Sequence, residues 1–150
     1  MLHLAIYQPD IPQNTGTMLR TCACLGVAAQ IIEPAAFDVS DRHLRRSGLD
    51  YLDHVALTRH ASWTAFEAWR ESAGIRLVLA TTRAAQAYTD FAFAPGDCLL
   101  VGRESAGVPE AVHAAAEARL CVPMRAGMRS LNVAVAAAML LGEARRQIGG

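Results

Sequence analysis

Apolar and polar positions along this 150-residue chain follow two alternating patterns. Short apolar runs, several of them apolar on both faces, occur at residues 2–7, 29–32, 55–58, 76–81, 98–101 and 119–122. Such runs predict strands of a parallel sheet covered by helices on each side. Segments with helical spacing lie between them, at 15–25, 41–46, 62–73, 109–115 and 130–148. Ser62 and Ser130 suit helix N-caps, and Asn14 can cap the helix that follows it. Pro109 suits a first helical turn, where its missing N–H costs nothing. The alternation predicts an α/β fold. No repeat, low-complexity segment or linker interrupts it, so one domain over residues 1–150 is expected.

The last helical segment departs from the usual amphipathic pattern. Leu131, Val133, Val135, Met139, Leu140 and Leu141 are spaced by Ala134, Ala136, Ala137 and Ala138, with no strong polar face before Glu143. A helix apolar all round is buried all round. In so short a chain that predicts burial against a second subunit, a homodimer, or else an unusually central core helix.

Composition narrows the function classes. The chain has 14 basic and 14 acidic residues, so its formal net charge is zero. All of the basic ones are Arg, whose planar fork suits phosphate. Two Arg groups stand out: Arg42, Arg45 and Arg46 with His43, followed by Arg59 and His60; and Arg119, Arg125 and Arg129, in a stretch from 118 to 142 that holds no acid. No apolar run approaches the 18 or so residues of a membrane span, and the N-terminus enters a strand directly, so a cytoplasmic location is expected. Cys22, Cys24, Cys98 and Cys121 sit in apolar surroundings without metal-ligand spacing, so buried thiols and no metal site are expected.

Three glycine-bearing turns lead into helices and carry most of the polar residues in these apolar regions. The first contains Asn14-Thr15-Gly16-Thr17-Met18-Leu19-Arg20, preceded by Pro9 and Pro12. Arg20 is expected near the helix N-terminal end, where the helix dipole disfavours a cation unless an anion is close. The second is Gly102-Arg103-Glu104-Ser105-Ala106-Gly107-Val108-Pro109, which matches neither a P-loop nor a dinucleotide fingerprint. Glu104 needs a partner there, and Arg20 or Asn14 would serve. The third runs from Cys121 to Val133, with Ser130 and Asn132 at the mouth of the final helix.

In this order, the three motifs resemble the signatures of the SPOUT superfamily of RNA methyltransferases. The short members that methylate the wobble ribose of tRNA share further segments: Ile31-Ile32-Glu33-Pro34, Arg45-Arg46-Ser47-Gly48-Leu49-Asp50-Tyr51 and Thr58-Arg59-His60. The resemblance covers nearly the whole chain. It implies a parallel-sheet α/β fold with a C-terminal trefoil knot, a homodimer, and S-adenosyl-L-methionine as methyl donor. By motif match the donor would be held at Ala80, Thr81, Gly102, Val122, Ser130 and Leu131. Arg20 would act on the ribose, steadied by Asn14 and Glu104, and Arg45, Arg46, Arg59, His60 and Arg129 would contact tRNA. The chain departs from the group at Ala134 and Val135, where Ser and Asn are frequent, and at Gly142, where an aromatic is common. An rRNA ribose, another tRNA position, or a non-catalytic donor- or RNA-binding module stay open as alternatives.

Overall fold

A computed structural model describes residues 1–46 and 50–149, without the side chains of Asp41 and Arg46. Residues 47–49, within one matching segment, and the Arg46 side chain, an expected RNA contact, therefore lie outside the described residues.

Among the described residues six strands form one sheet: β1 (His3–Tyr7), β2 (Ala28–Ile32), β3 (Leu57–His60), β4 (Leu77–Ala80), β5 (Cys98–Val101) and β6 (Ala118–Leu120). Every pairing is parallel, in the order β3-β2-β1-β5-β4-β6. The helices are α1 (Pro12–Leu25), α2 (Asp41–Arg46), α3 (Trp63–Ala73), α4 (Glu110–Ala115) and α5 (Val133–Ile148), with short 3₁₀ turns at Asp50–His54 and Tyr88–Asp90. The two-residue period of β1 sends Leu4 and Ile6 to one face and Ala5 and Tyr7 to the other. The first pair packs with Met18 and Leu19 of α1 and Leu140 and Leu141 of α5. The second packs with Phe66 of α3 and Val112 of α4. Burying each such aliphatic side chain contributes about 1.5–3 kcal/mol.

Several element ends differ from the sequence expectation. Pro12 is the first residue of α1, and the extended Ile11 precedes it with no side-chain cap, so Asn14 lies inside the first turn. Ser62 caps α3, accepting from the Ala65 N–H at 3.1 Å. Pro109 is itself the N-cap of α4. Asn132, not Ser130, caps α5: its Oδ1 accepts from the N–H groups of Ala134 and Val135 at 2.8 and 3.2 Å. Ser130 and Leu131 stay exposed in the loop before it.

Strand β3 runs two residues further than expected, because its register with β2 extends to the Ile32–His60 pair. That turns His60 inward. It is only 6 % exposed, its ring packs edge-on against Phe66, and its Nε2 lies 2.7 Å from Gln30 Oε1, to which it donates. His60 is thus a core residue and not a surface contact for RNA.

His60 and His3 both have pKa values lowered from 6.5, chiefly because burial penalises the charged ring. The unfolded chain therefore binds protons near pH 6.5 that the folded chain resists, so stability is full above that pH and declines as pH falls through it. Urea midpoints should drop between pH 7 and 5.5. A flat profile over that window would show that neither histidine is linked to folding.

Candidate active site

The carboxyl ends of β4, β5 and β6 open into a cleft of about 530 Å³. Parallel α/β sheets bind ligands at this edge, and the volume is that of a small-molecule site. Leu79, Val101, Leu120, Val122 and Leu140 give it apolar walls, and its charged lining is confined to Arg103, Glu104 and Arg129. Ala80, Thr81, Gly102, Val122, Ser130 and Leu131, far apart in sequence, all line it.

Glycine is required at the β5 end. A Cβ on Gly102 would stand 2.7 Å from the Gly107 carbonyl carbon. The Arg103 N–H donates to Gly107 O at 3.0 Å and the Gly107 N–H donates to Arg103 O at 2.7 Å, which closes the loop on itself. Gly107 has a left-handed φ of +64°. Gly102→Val should therefore distort the loop as well as narrow the cleft. Overpacking of this kind costs about 1–3 kcal/mol. Thermal unfolding should show the loss, and an unshifted midpoint would mean that the loop relaxes freely.

The three glycine-bearing turns meet at the mouth of α5. Asn132 Nδ2 donates to Asn14 Oδ1 at 3.0 Å, and the Val133 N–H donates to Glu104 Oε1 at 3.2 Å. A carboxylate there is favoured by the free N–H groups and the positive end of the helix dipole. The partner of Glu104 is thus the start of α5, neither Arg20 nor Asn14.

Asp10, which sequence reasoning missed, ties the first turn to the second. It accepts from the N–H groups of Glu104 and Ser105, both at 3.3 Å, and from Ser105 Oγ at 2.5 Å. Partial burial opposes its ionisation, but these hydrogen bonds outweigh it and hold the carboxyl below the ordinary aspartate value.

Arg20 stands apart from this cluster. Because α1 begins at Pro12, Arg20 lies in the third turn, and the dipole argument for an anion beside it no longer holds. Six residues separate it from Asn14, which places the two about 120° apart around the helix and about 9 Å along it. Asn14 and Glu104 bond to α5 and do not steady Arg20 within the protomer. The Arg20 guanidinium instead lies 4.7 Å from the centre of the Tyr51 ring. Arg20 is exposed and does not line the cleft.

Of the other expected RNA contacts, Arg129 lines the cleft and Arg45 and Arg59 do not. Arg45 pairs with Asp53 at 2.8 Å on the surface, an interaction weak enough for a phosphate to displace. Arg59 is exposed on edge strand β3, and Arg129 is exposed at the cleft.

Residues 1–142 match the SpoU rRNA Methylase family. The chain belongs to that family. A similar relative, the tRNA (cytidine(34)-2′-O)-methyltransferase of Beijerinckia indica, is 72% identical over 97% of this chain and 91% of its own. The enzyme of that name from Escherichia coli K12 is 40% identical over 99% of this chain and 95% of its own. Among solved structures, one determined for the 2′-OH methylation of C/U34 on tRNA superposes with a TM-score of 0.90 at 44% identity, covering 98% of this chain and 95% of that one. The SpoU methyltransferase AviRb of Streptomyces viridochromogenes, solved with AdoMet, gives 0.85 at 31% identity, over 98% of this chain and 60% of that one. The SPOUT resemblance and the parallel α/β fold therefore hold, and this SpoU family member is an enzyme.

Proposed function

We propose that the protein transfers the methyl group of S-adenosyl-L-methionine to the 2′-oxygen of the wobble ribose of tRNA, acting as a homodimer in the cytoplasm. The observation that carries this reading is the convergence of six motif positions on one cleft. The relatives that are 40–72% identical over nearly the full chain support the wobble ribose as the target. The reading also includes a single domain over residues 1–150 and a C-terminal segment threaded as a trefoil knot, as the resemblance implies. Among the described residues no helix is long and apolar enough to cross a membrane, and none cluster as metal ligands.

The cleft fits this donor. Its lining sets apolar side chains such as Leu79, Leu120 and Leu140 beside the polar Thr81, Thr82 and Ser130, and the Gly102–Gly107 contact leaves no room for a side chain there. When bound, S-adenosylmethionine supplies a methyl group on a sulfonium whose departure leaves a neutral thioether. The protein's part is then mainly to position the ribose, which can supply roughly 7–11 kcal/mol. Asn132 and Glu104 fix the start of α5, which follows directly on Ser130 and Leu131. Arg20 orients the ribose and stabilises the negative charge that develops on its 2′-oxygen. It does not act as the base, since guanidinium keeps its proton. Arg45, Arg46, Arg59 and Arg129 hold phosphates of the RNA.

Because Arg20 does not line the cleft of its own protomer, a second copy must bring it there. The exposed apolar stripe of α5, with Val135 and Met139, supports such a pairing. The experiment is to incubate the protein with unmodified bulk tRNA and labelled donor and map the methylated nucleotide. Label at the wobble 2′-oxygen is expected. Label at another tRNA position, or in rRNA only, would replace this substrate, and no label in either would favour a binding module.

A further inference from the structure

The charged lining of the cleft is gathered in few places, and two of its members are consecutive residues of opposite sign, Arg103 and Glu104. The Glu104 carboxylate is occupied by the α5 N-terminus. Arg103 is not occupied in the same sense. Its Nε is shut off from solvent without a hydrogen bond, and lies 3.8 Å from Asp10 Oδ2, an ion-pair distance too long for a hydrogen bond. Asp10 spends its acceptor capacity on the loop at 104–105. Among the described residues the Arg103 guanidinium therefore makes no hydrogen bond, although its side chain is 37 % exposed and forms part of the cleft wall. With Nε closed to solvent and facing Asp10, the edge of the fork left for a bidentate carboxylate is the one between the two terminal nitrogens.

Position narrows the choice of ligand group. The sheet order sets β5 next to β1, with β4 and β6 beyond it. Arg103 follows β5 and reaches towards Asp10, which follows β1, so it occupies the end of the cleft nearest α1. The opposite end, at Ala80 and Val122, is formed where the chain leaves β4 and β6. A donor laid along the cleft with its adenosine at that far end brings its amino-acid end to Arg103. That end carries one carboxylate. We infer that Arg103 is the carboxylate-binding residue for the amino-acid end of the methyl donor.

The inference rests on the reading of this cleft as the donor site, and the test separates the two. Calorimetric affinities are compared for S-adenosylmethionine and its decarboxylated form, which keeps the sulfonium, adenosine and amine. The wild type should bind the intact donor roughly ten- to a hundred-fold more tightly, the range for one hydrogen-bonded charge pair. In Arg103→Ala, and in Arg103→Gln, which keeps the side chain's length, that preference should vanish while the decarboxylated form binds as before. The unchanged binding of the decarboxylated form is also the check that the variants fold. Equal weakening for both ligands would show that Arg103 only shapes the loop, and an unchanged ratio would show that the carboxylate goes elsewhere. Loss of tRNA affinity alone would reassign Arg103 to a phosphate. A wild type that binds neither ligand would overturn the donor site itself.

Discussion

Alanine at position 20 should lower single-turnover methyl transfer about 10²–10³-fold, the usual cost of removing one well-placed charge-stabilising donor. Affinity for donor and for RNA should change far less. The expectation follows from where Arg20 sits. It is exposed and does not line the cleft, so it contributes nothing to donor binding within its protomer. Its guanidinium lies over the Tyr51 ring at 4.7 Å, which limits its freedom before substrate arrives. Arg20→Lys should recover little, because a compact ammonium neither offers a planar fork nor stacks in the same way. The measurement is made at saturating RNA and donor. Near-normal rates in Arg20→Ala would move the assignment elsewhere, first to Arg129, which does line the cleft.

The parallel sheet was legible because the central strand β5 is apolar on both faces, a pattern that double coverage explains. The second turn was legible for a related reason: Gly102 and Gly107 approach too closely for a side chain, so the glycine spacing carries the shape of the loop. Helix starts were less legible. Ile11 precedes α1 without a side-chain cap, and the helix opens on Pro12, which reads equally well as part of a stiff loop. Ser130 and Asn132 are both good caps two residues apart, and the hydrogen bond to Asn14, from across the fold, helps hold Asn132 in that place. Long-range polar pairs were not legible. His60 near an arginine looks like a phosphate contact until Gln30, thirty residues away, is placed beside it. Asp10 meets residues 104 and 105 only after β1 and β5 have paired. Local pattern carries strands and turns, whereas the partners of buried polar groups depend on topology.

The double variant Val135→Glu with Met139→Glu should sediment as a folded monomer and methylate tRNA at background level. Helix α5 turns Ala134, Ala137, Leu140, Leu141 and Ala144 into the core. Val135 and Met139, one turn apart, stay 48 % and 37 % exposed, and Leu131 just before the helix is 40 % exposed. Gly142 continues the stripe, and nothing lies within 4 Å of where its Cβ would be, so a partner helix can approach closely. Two carboxylates buried in that interface would each cost several kcal/mol, weakening association by on the order of 10³-fold or more. Ala137 and Leu141, apolar neighbours on the same helix, are unsuitable test positions because each is 1 % exposed and a charge there would unfold the protomer. Loss of activity should accompany dissociation even though each cleft stays intact. On the proposed reading Arg20 would reach a cleft only from a second copy, so a monomer would keep the proposed donor site and lack the residue proposed to act on the ribose. Far-UV circular dichroism should stay at the wild-type value, and donor affinity should fall little. A wild type that is monomeric and fully active would overturn both the dimer and this division of the site between two chains.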